Sequence, residues 1–287
     1  GGSVRVAVVG GGPGGLAAAR ELARLGHAVE LFDERRYPGG DLALAARLPE
    51  YPEYHRIVDW YAMELVDLNV VCHTGIDVDL AAPAAALGPG WDAVVLATGG
   101  RGPEPALPGS DTRRVRDVRD FLRTESPAPE EITMFGADRE AAAVADALLA
   151  AGTRVTMIGP QPGIAHDVGR RGKIVLVPRL LAHPCLTLHL ESVITAIEAH
   201  RVRIRPLDPG APERWIPGGG ELLVSQGITP RTELQNALRT LEPPLGVHAV
   251  GDASGDGGSI HAAITTAIEA AGRIHAAAHR STQEARE

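Results

Sequence analysis

A glycine-rich run near the start of the chain has the residue types and spacing that bind phosphate groups. Gly10, Gly12 and Gly15 stand two and three residues apart, with Gly14 beside the last. In such a loop the first glycine allows a tight turn, the second lets phosphate oxygens approach the backbone, and the third lets the next helix pack closely. Pro13 stands where a helix can begin without a free amide, and the amides that follow attract anions. The pattern predicts a turn that binds a pyrophosphate.

An acidic residue completes the pattern. Asp33 lies 21 residues after Gly12 and follows the apolar run 28–32, with Glu34 next to it. A carboxylate at the end of this second strand accepts hydrogen bonds from ribose hydroxyls and disfavours a 2′-phosphate. Because strand, turn, helix and acid are all in register, we predict a dinucleotide site; the alternative is a tight turn with a purely structural role.

The same pattern recurs 126 residues later with changed residues. Gly136 corresponds to Gly10, but Asp138 replaces Gly12 and Ala141 replaces Gly15. Alanine is tolerated at the third position, whereas Asp138 brings a side chain and a negative charge to the place where a pyrophosphate approaches. Two alternatives remain open: a second domain that binds NAD(P)H or ADP, and a retained scaffold that binds no ligand.

Other candidates for chemistry are weaker. The strand of the second unit ends in Gly159-Pro160, with no acid for a ribose, and Arg154, Arg170 and Arg171 are candidates to meet a 2′-phosphate or are simply solvated. The sequence contains no HExxH motif, no Ser-His-Asp arrangement and no calcium-loop spacing. We therefore expect no metal site.

The elements that carry these residues alternate between strands and helices. Apolar runs at 4–9, 93–96 and 132–135 predict buried parallel strands, and helices are predicted after both glycine turns and from about Ser259. The region 174–205 is predicted to hold several short strands. Loops at 101–109 and 225–231 look like crossings between domains. The predicted fold is α/β with two Rossmann-like domains, the second (103–231) inserted into the first (1–102 and 232–287).

Composition excludes several classes of function. The chain of 287 residues is 44% hydrophobic and 22% charged, which is typical of a globular protein. Its net charge of −8 disfavours nucleic acid as a partner. No apolar run approaches the roughly 18 residues of a membrane helix, and no signal peptide precedes Val4, so we expect a cytoplasmic protein with no membrane partner. Cys72 and Cys185 are too far apart in sequence to form a local redox pair.

Three further segments resemble signatures of flavoproteins with two dinucleotide-binding domains. They are Gly39-Gly40 after Asp33, Ala97-Thr98-Gly99, and Val250-Gly251-Asp252-Ala253. The resemblance implies FAD rather than NAD at the first unit, with Asp252 bonding the ribityl and pyrophosphate region. The cofactor contacts that it implies or that the loop predicts are Gly10, Gly12, Pro13, Gly14, Gly15, Asp33, Glu34, Gly40, Val78, Ala97, Thr98, Gly99, Gly251, Asp252, Ile260 and His261. A structural or solvent-exposed role is the simpler alternative for His261.

A narrower resemblance involves the runs Gly26-His27-Ala28-Val29, Gly39-Gly40-Asp41-Leu42 and 91–100. These look like the C-terminal half of 2,4-dienoyl-CoA reductases and trimethylamine dehydrogenases. That family also has an FMN-binding TIM barrel and a cysteine-ligated iron–sulfur cluster, and its FAD passes electrons between a nicotinamide or external carrier and this module. The chain's two cysteines cannot supply the four ligands of such a cluster.

The resemblance gives a leading hypothesis and two alternatives. The leading hypothesis is an FAD-bearing oxidoreductase subunit that exchanges electrons with a separate FMN/iron–sulfur barrel subunit, and the resemblance gives no catalytic side chain of the protein's own. The first alternative is a self-standing NAD(P)H-dependent reductase of a small acceptor. The second is a structural subunit whose FAD stabilises an assembly.

Overall fold

The computed structural model describes residues 2–78, 83, 87–104, 107–110, 114–124, 127–169, 173–240 and 246–284. The chain forms two compact units. The first unit contains the stretch up to Ala46, Glu53–Arg101 and the stretch from Ile228, and the second contains Arg47–Pro52 and Gly102–Gly227. Arg170 and Arg171, the candidates for a 2′-phosphate contact, lie outside the described residues.

The elements alternate along the chain as an α/β pattern requires. The first unit begins with β1 (Arg5–Val9), α1 (Pro13–Arg24), β2 (Ala28–Asp33), α2 (Gly40–Ala45), α3 (Tyr54–Asp67), β3 (Val71–Thr74), β4 (Ala93–Leu96) and β5 (Gly100–Arg101). The second unit follows with β6 (Val115–Asp117), α4 (Val118–Arg123), β7 (Glu131–Phe135), α5 (Arg139–Ala150), β8 (Arg154–Ile158), α6 (Leu176–Leu181), β9 (Leu186–His189), β10 (Ser192–Ile197), β11 (Arg201–Pro206), β12 (Arg214–Pro217) and β13 (Glu221–Val224). The chain then returns to the first unit with β14 (Thr229–Pro230), α7 (Glu233–Arg239), β15 (Gly246–Ala249), a 3₁₀ turn (Gly251–Ser254) and α8 (Ile260–Glu284).

The first unit is built on a parallel sheet with the strand order β15-β4-β1-β2-β3. Strand β4 is buried along its whole length, and the last four residues of β1 are buried too, because helices or loops cover both faces. Helices α1 and α8 share one side of the sheet and bury small residues, which include Ala18, Ala267 and Ala271. This packing fixes the start of α1 directly beyond β1.

The second unit repeats this design with the parallel order β6-β13-β7-β8-β9 and adds an antiparallel sheet, β10-β11-β12. Helix α5 packs on the parallel sheet through the buried alanines Ala141, Ala142, Ala143 and Ala145, together with Val144 and Leu148. The fold is thus the predicted α/β architecture with two Rossmann-like units, the second inserted in the first.

Two local features depart from the sequence-based expectations. The region 174–205 holds the predicted short strands β9, β10 and β11, but it begins with helix α6, which was not predicted and whose Leu176 and Leu180 are buried at helical spacing. The segment Arg47–Pro52, predicted as part of the first domain, groups with the second unit. Leu48 is buried in the second unit's core and Glu50 forms an ion pair with Arg179 at 2.8 Å, which accounts for its position.

No helix in the part of the chain that the structure describes combines the length and apolar character needed to cross a membrane.

Candidate functional site

The predicted site residues of the first unit lie at one edge of its sheet. All the strands of this sheet run parallel, so the segments that follow β1, β2, β4 and β15 emerge on the same side. The strand order also reverses here, since β2 and β3 extend to one side of β1 while β4 and β15 extend to the other. A crevice at such a reversal is where open α/β sheets bind ligands.

The glycine loop after β1 is shaped by close backbone contacts. Gly10 has φ +103°, and a Cβ there would lie 2.2 Å from the carbonyl oxygen of Ala97. A Cβ at Gly15 would lie 1.8 Å from the oxygen of Gly10. Glycine is therefore required at both positions, one for the turn and one for the close approach of α1 to β1.

Gly12 differs from these two glycines, because a Cβ at this position would not collide with the protein but would occupy open space beside the start of α1. Its φ of −71° and ψ of 179° suit any residue, and a Cβ there would meet nothing closer than the Cα of Gly40 at 3.9 Å. Gly12 is the N-cap of α1, with no side chain capping the helix, and Pro13 has no amide to satisfy. The start of α1 is thus an uncapped helix N-terminus in an open cradle, and the residues present fit a dinucleotide pyrophosphate.

The acid at the end of β2 is held beside this cradle. Asp33 is 5% exposed, and its two carboxylate oxygens accept the amides of Gly11 at 2.5 Å and Arg35 at 2.7 Å. Each oxygen retains a second lone pair for a ribose hydroxyl. Glu34 instead lies exposed on the rim, 3.9 Å from the guanidinium of Arg231.

The segment after β4 meets the returning chain. Thr98 donates its hydroxyl to the carbonyl of Arg231 at 3.3 Å, and the amide of Arg231 donates to Gly99 at 3.1 Å. Next to them, β5 and β14 pair antiparallel. Ala97, Thr98 and Gly99 are therefore fixed by the crossing strand as well as by β4.

The segment after β15 comes close to the glycine loop. A Cβ at Gly14 would lie 3.7 Å from the amide nitrogen of Gly251. The Gly251 amide donates to the hydroxyl of Thr266 at 2.8 Å, and Asp252 accepts the amide of Gly258 at 2.7 Å. One carboxylate oxygen of Asp252 is thereby anchored in the loop 255–258. The motifs of residues 10–15 and 250–252, far apart in sequence, meet at this edge.

The remaining predicted residues have different surroundings. Helix α8 begins at Ile260, which is half-buried, and His261 is exposed. The Ser259 hydroxyl accepts the amide of Ala262 at 3.1 Å and so caps the helix. The side chain of Val78 is buried in the core under this edge rather than turned towards it.

The second unit carries a buried ionic cluster. The guanidinium of Arg119 contacts the carboxylates of Asp117 at 3.3 Å and of Glu140, and it also donates to the carbonyl of Gly227 at 3.2 Å. Burial raises the pKa of both carboxyls, against the lowering effect of Arg119. The Arg119 cluster thus pairs its buried charges with one another.

Arg154, a candidate for a 2′-phosphate, forms an exposed ion pair with Glu131.

Sequence reasoning missed several residues that support these loops. The hydroxyl of Thr266 accepts the amide of Gly251, while the main chain of Arg231 accepts the Thr98 hydroxyl and donates to the carbonyl of Gly99. No motif marks a side chain that acts on a loop distant in sequence. Asp167 was also missed, although the 126-residue repeat aligns it with Asp41 beside the Gly39-Gly40 pair.

These features define a class of protein: an α/β protein with two dinucleotide-binding-type units. The first unit has an open, glycine-lined cradle with the carboxylate of Asp33 beside it. Within that class, the chain belongs to the pyridine nucleotide-disulphide oxidoreductase family, whose model matches residues 4–267. Members of this family bind FAD, and NAD(P) binding also occurs in it. The chain is a flavin-dependent oxidoreductase.

Individual relatives agree with this placement. The chain is 46% identical over 97 residues to an N,N-dimethylglycine/sarcosine dehydrogenase of Chromohalobacter salexigens, covering 34% of this chain and 14% of the relative. It is 32% identical over 168 residues to an NADH oxidase of Thermoanaerobacter brockii, covering 57% and 25%. Its fold matches 2-naphthoyl-CoA reductase with a TM-score of 0.84 at 23% identity, over 94% of this chain and 40% of that one.

Two further facts follow from these matches. The predicted family resemblance is confirmed at the level of the pyridine nucleotide-disulphide oxidoreductase family, and structural neighbours such as 2-naphthoyl-CoA reductase share the fold. The matched parts of these three proteins make up less than half of their lengths.

Proposed function

We propose that this chain is the FAD-bearing electron-transfer component of a larger oxidoreductase, and that it exchanges electrons with an FMN/iron–sulfur barrel subunit. One observation carries the proposal: an open, glycine-lined cradle that fits a dinucleotide pyrophosphate lies in a chain that matches only 40% of a larger reductase of the same fold. The structural neighbours are larger enzymes with additional FMN/Fe–S domains, which supports a partner of that kind.

The chain's own residues would bind and orient the cofactor. We propose that Gly10, Gly12 and the start of α1 hold the pyrophosphate, because this helix end has no side-chain cap and space for an anion. Asp33 would hold the adenosine ribose, and Asp252, anchored by Gly258, would hold the ribityl side. Gly40, Ala97, Thr98 and Gly99 would complete the wall of the crevice.

The start of α8 lies close behind Gly251 and Asp252 in the chain, so its positive dipole end would stabilise a negatively charged ring bound at this edge. FAD supplies the electron carrier, and the protein supplies position and electrostatics. No side chain of this chain is assigned a direct chemical step in the proposal.

Rapid mixing tests the proposal. The partner is first identified as the protein that co-purifies with the chain from its native host. The FAD-loaded chain is then reduced, mixed anaerobically with the oxidised partner and followed by flavin absorbance; we expect fast reoxidation only with the partner. Rapid, saturable substrate turnover by the chain alone would contradict the proposal. A flavin that keeps its redox state while the assembly turns over would contradict it too, in favour of a structural role.

A further inference from the structure

The second unit keeps the backbone frame of the first. Asp138 has φ −71° and ψ −177°, nearly the values of Gly12. Gly136 has positive φ and closely approaches the carbonyl of Ser225, just as Gly10 approaches Ala97. The difference between the two units therefore lies in their side chains.

The segment that packs against the glycine turn, which begins at Gly39 in the first unit, also has a counterpart in the second unit. The Gly39 amide donates to Gly11 at 2.7 Å, and the Ala165 amide donates to Ala137 at 2.6 Å, 126 residues later. Ala165 is fully buried and has φ +51°, a conformation that is uncommon for a residue other than glycine. Packing therefore holds the segment 164–167 against the turn.

Side chains satisfy the start of helix α5, unlike that of α1. The carboxylate of Asp138 accepts the amide of Ala141 at 2.9 Å and the hydroxyl of Ser225 at 2.8 Å. Asp167 accepts the amide of Arg139 at 2.7 Å. In the first unit, Gly12 at the position of Asp138 has no side chain and Pro13 at the position of Arg139 has no amide. The counterpart of Asp167 is Asp41, whose carboxylate lies 3.5 Å from the guanidinium of Arg35. Two carboxylates thus hold the α5 amides that a pyrophosphate would need.

The negative charges at the start of α5 also disfavour the binding of a pyrophosphate. Asp138 and Asp167 add negative charge at the place where two phosphates would bring more, while Glu140, in the first turn of α5, is already paired with Arg119. At the end of β8, Gly159 stands where the first unit has Asp33, so this position offers no carboxylate to a ribose. The residues present do not fit a dinucleotide.

We propose that the second unit is closed to NAD(P)H and ADP, and that Asp138 and Asp167 are internal substitutes for the pyrophosphate. This inference goes beyond the proposed function, because it concerns the second unit whichever partner the chain has. Reducing equivalents then reach the FAD by a route other than a nicotinamide held at α5.

Calorimetric titration of the FAD-loaded full chain tests this inference, since loaded FAD prevents nucleotides from entering the first unit. We expect NADPH, NADH and ADP each to give no saturable heat up to about 1 mM. The double variant Asp138→Gly/Asp167→Asn should gain saturable NADPH or ADP binding, at least about tenfold tighter than in the wild type. The matched control, Asp208→Asn, changes an exposed carboxylate of the same unit and should stay unresponsive.

Two results would overturn the inference. One is saturable micromolar binding by the FAD-loaded wild type. The other is a double variant that keeps its helical circular dichroism and FAD content but still binds no nucleotide; if it does not fold, Asp167→Asn alone replaces it. Because no partner is present, the heats are independent of the electron-transfer proposal, and either proposal can fail alone.

Discussion

At the scale of single residues, position 12 and its counterpart 138 differ in what they offer to a ligand. Their backbone angles are nearly the same, so local conformation does not require the glycine. Gly12 is needed for the space and the uncapped amides beside it, whereas Asp138 fills the equivalent space and caps its own helix. The side chain at this position therefore determines whether the helix start is open to an anion or capped by the protein itself.

We predict that Gly12→Asp strongly weakens FAD binding without unfolding the chain. The backbone at this position accepts aspartate, which is a good N-cap, but its carboxylate would compete with the pyrophosphate. We expect FAD affinity to fall at least about a hundredfold, roughly 3 kcal/mol. Flavin absorbance per protein after purification measures it.

Gly12→Ala is the control for the Gly12→Asp prediction. It adds a Cβ without charge, and the nearest protein atom is 3.9 Å away, so it should fold normally and weaken FAD binding less than Gly12→Asp does. A Gly12→Asp protein that purifies with a full complement of flavin contradicts the prediction.

At the scale of elements, α8 ties the end of the chain to the first unit. Its buried alanines pack along α1, and at the far end from the candidate site a histidine cluster joins α8 to the turn before β2. The Nε2 of His27 lies 3.0 Å from the Nδ1 of His275, and the ring of His279 lies 4.4 Å from that of His275. His27 is 7% exposed. Burial, and then His275 and His279, lower the pKa of His27.

This cluster predicts that the first unit loses stability in mild acid. Because the pKa of His27 is lower in the folded state than its unfolded value of about 6.5, the unfolded chain takes up the proton first. The contribution to stability is present above about pH 6.5 and is lost as the pH falls towards the folded pKa. We expect the free energy of unfolding to drop less for His27→Gln than for the wild type between about pH 7.5 and pH 5.5.

Denaturant unfolding at the two pH values measures the effect of His27→Gln. His55→Gln, an exposed histidine of the same unit, should behave like the wild type. An equal pH dependence in wild type and His27→Gln contradicts the assignment.

At the scale of the whole molecule, each unit has its own hydrophobic clusters with no buried member in common. Val6, Leu31 and Val95 belong to the first unit's core, and Met134 and Val155 to the second's. A ligand that binds one unit stabilises that unit directly. The candidate FAD residues all belong to the first unit.

We therefore predict that removing FAD selectively lowers the melting temperature of the first unit. Restoring FAD at about a thousand times its Kd should stabilise that unit by about 4 kcal/mol. Differential scanning calorimetry of the apo and FAD-loaded chain measures this, and Asp138→Gly, which changes the second unit only, should show the same FAD-dependent shift. Transitions that do not move with FAD contradict the prediction.

Much of the fold follows from local patterns. The apolar runs of β1, β4 and β7 and the glycine turns predicted their elements to within a few residues, because buried parallel strands and helix starts leave strong local signals. Helix α6 and the segment 47–52 were missed for the opposite reason. Their structure depends on Leu176, Leu180 and Leu48 finding buried partners elsewhere in the second unit.

The sequence by itself determined the two strand–turn–helix frames, the acid at Asp33 and the unfavourable Asp138, since each depends on residue type and spacing. Only the tertiary structure showed that Asp138 is bonded to Ser225 and that Asp167 occupies a neighbouring amide. The physical reason is that these partners lie 28 to 87 residues from the groups they bond. Hydrogen bonds of that span exist only after the ends of the parallel strands and their loops have been brought to one edge.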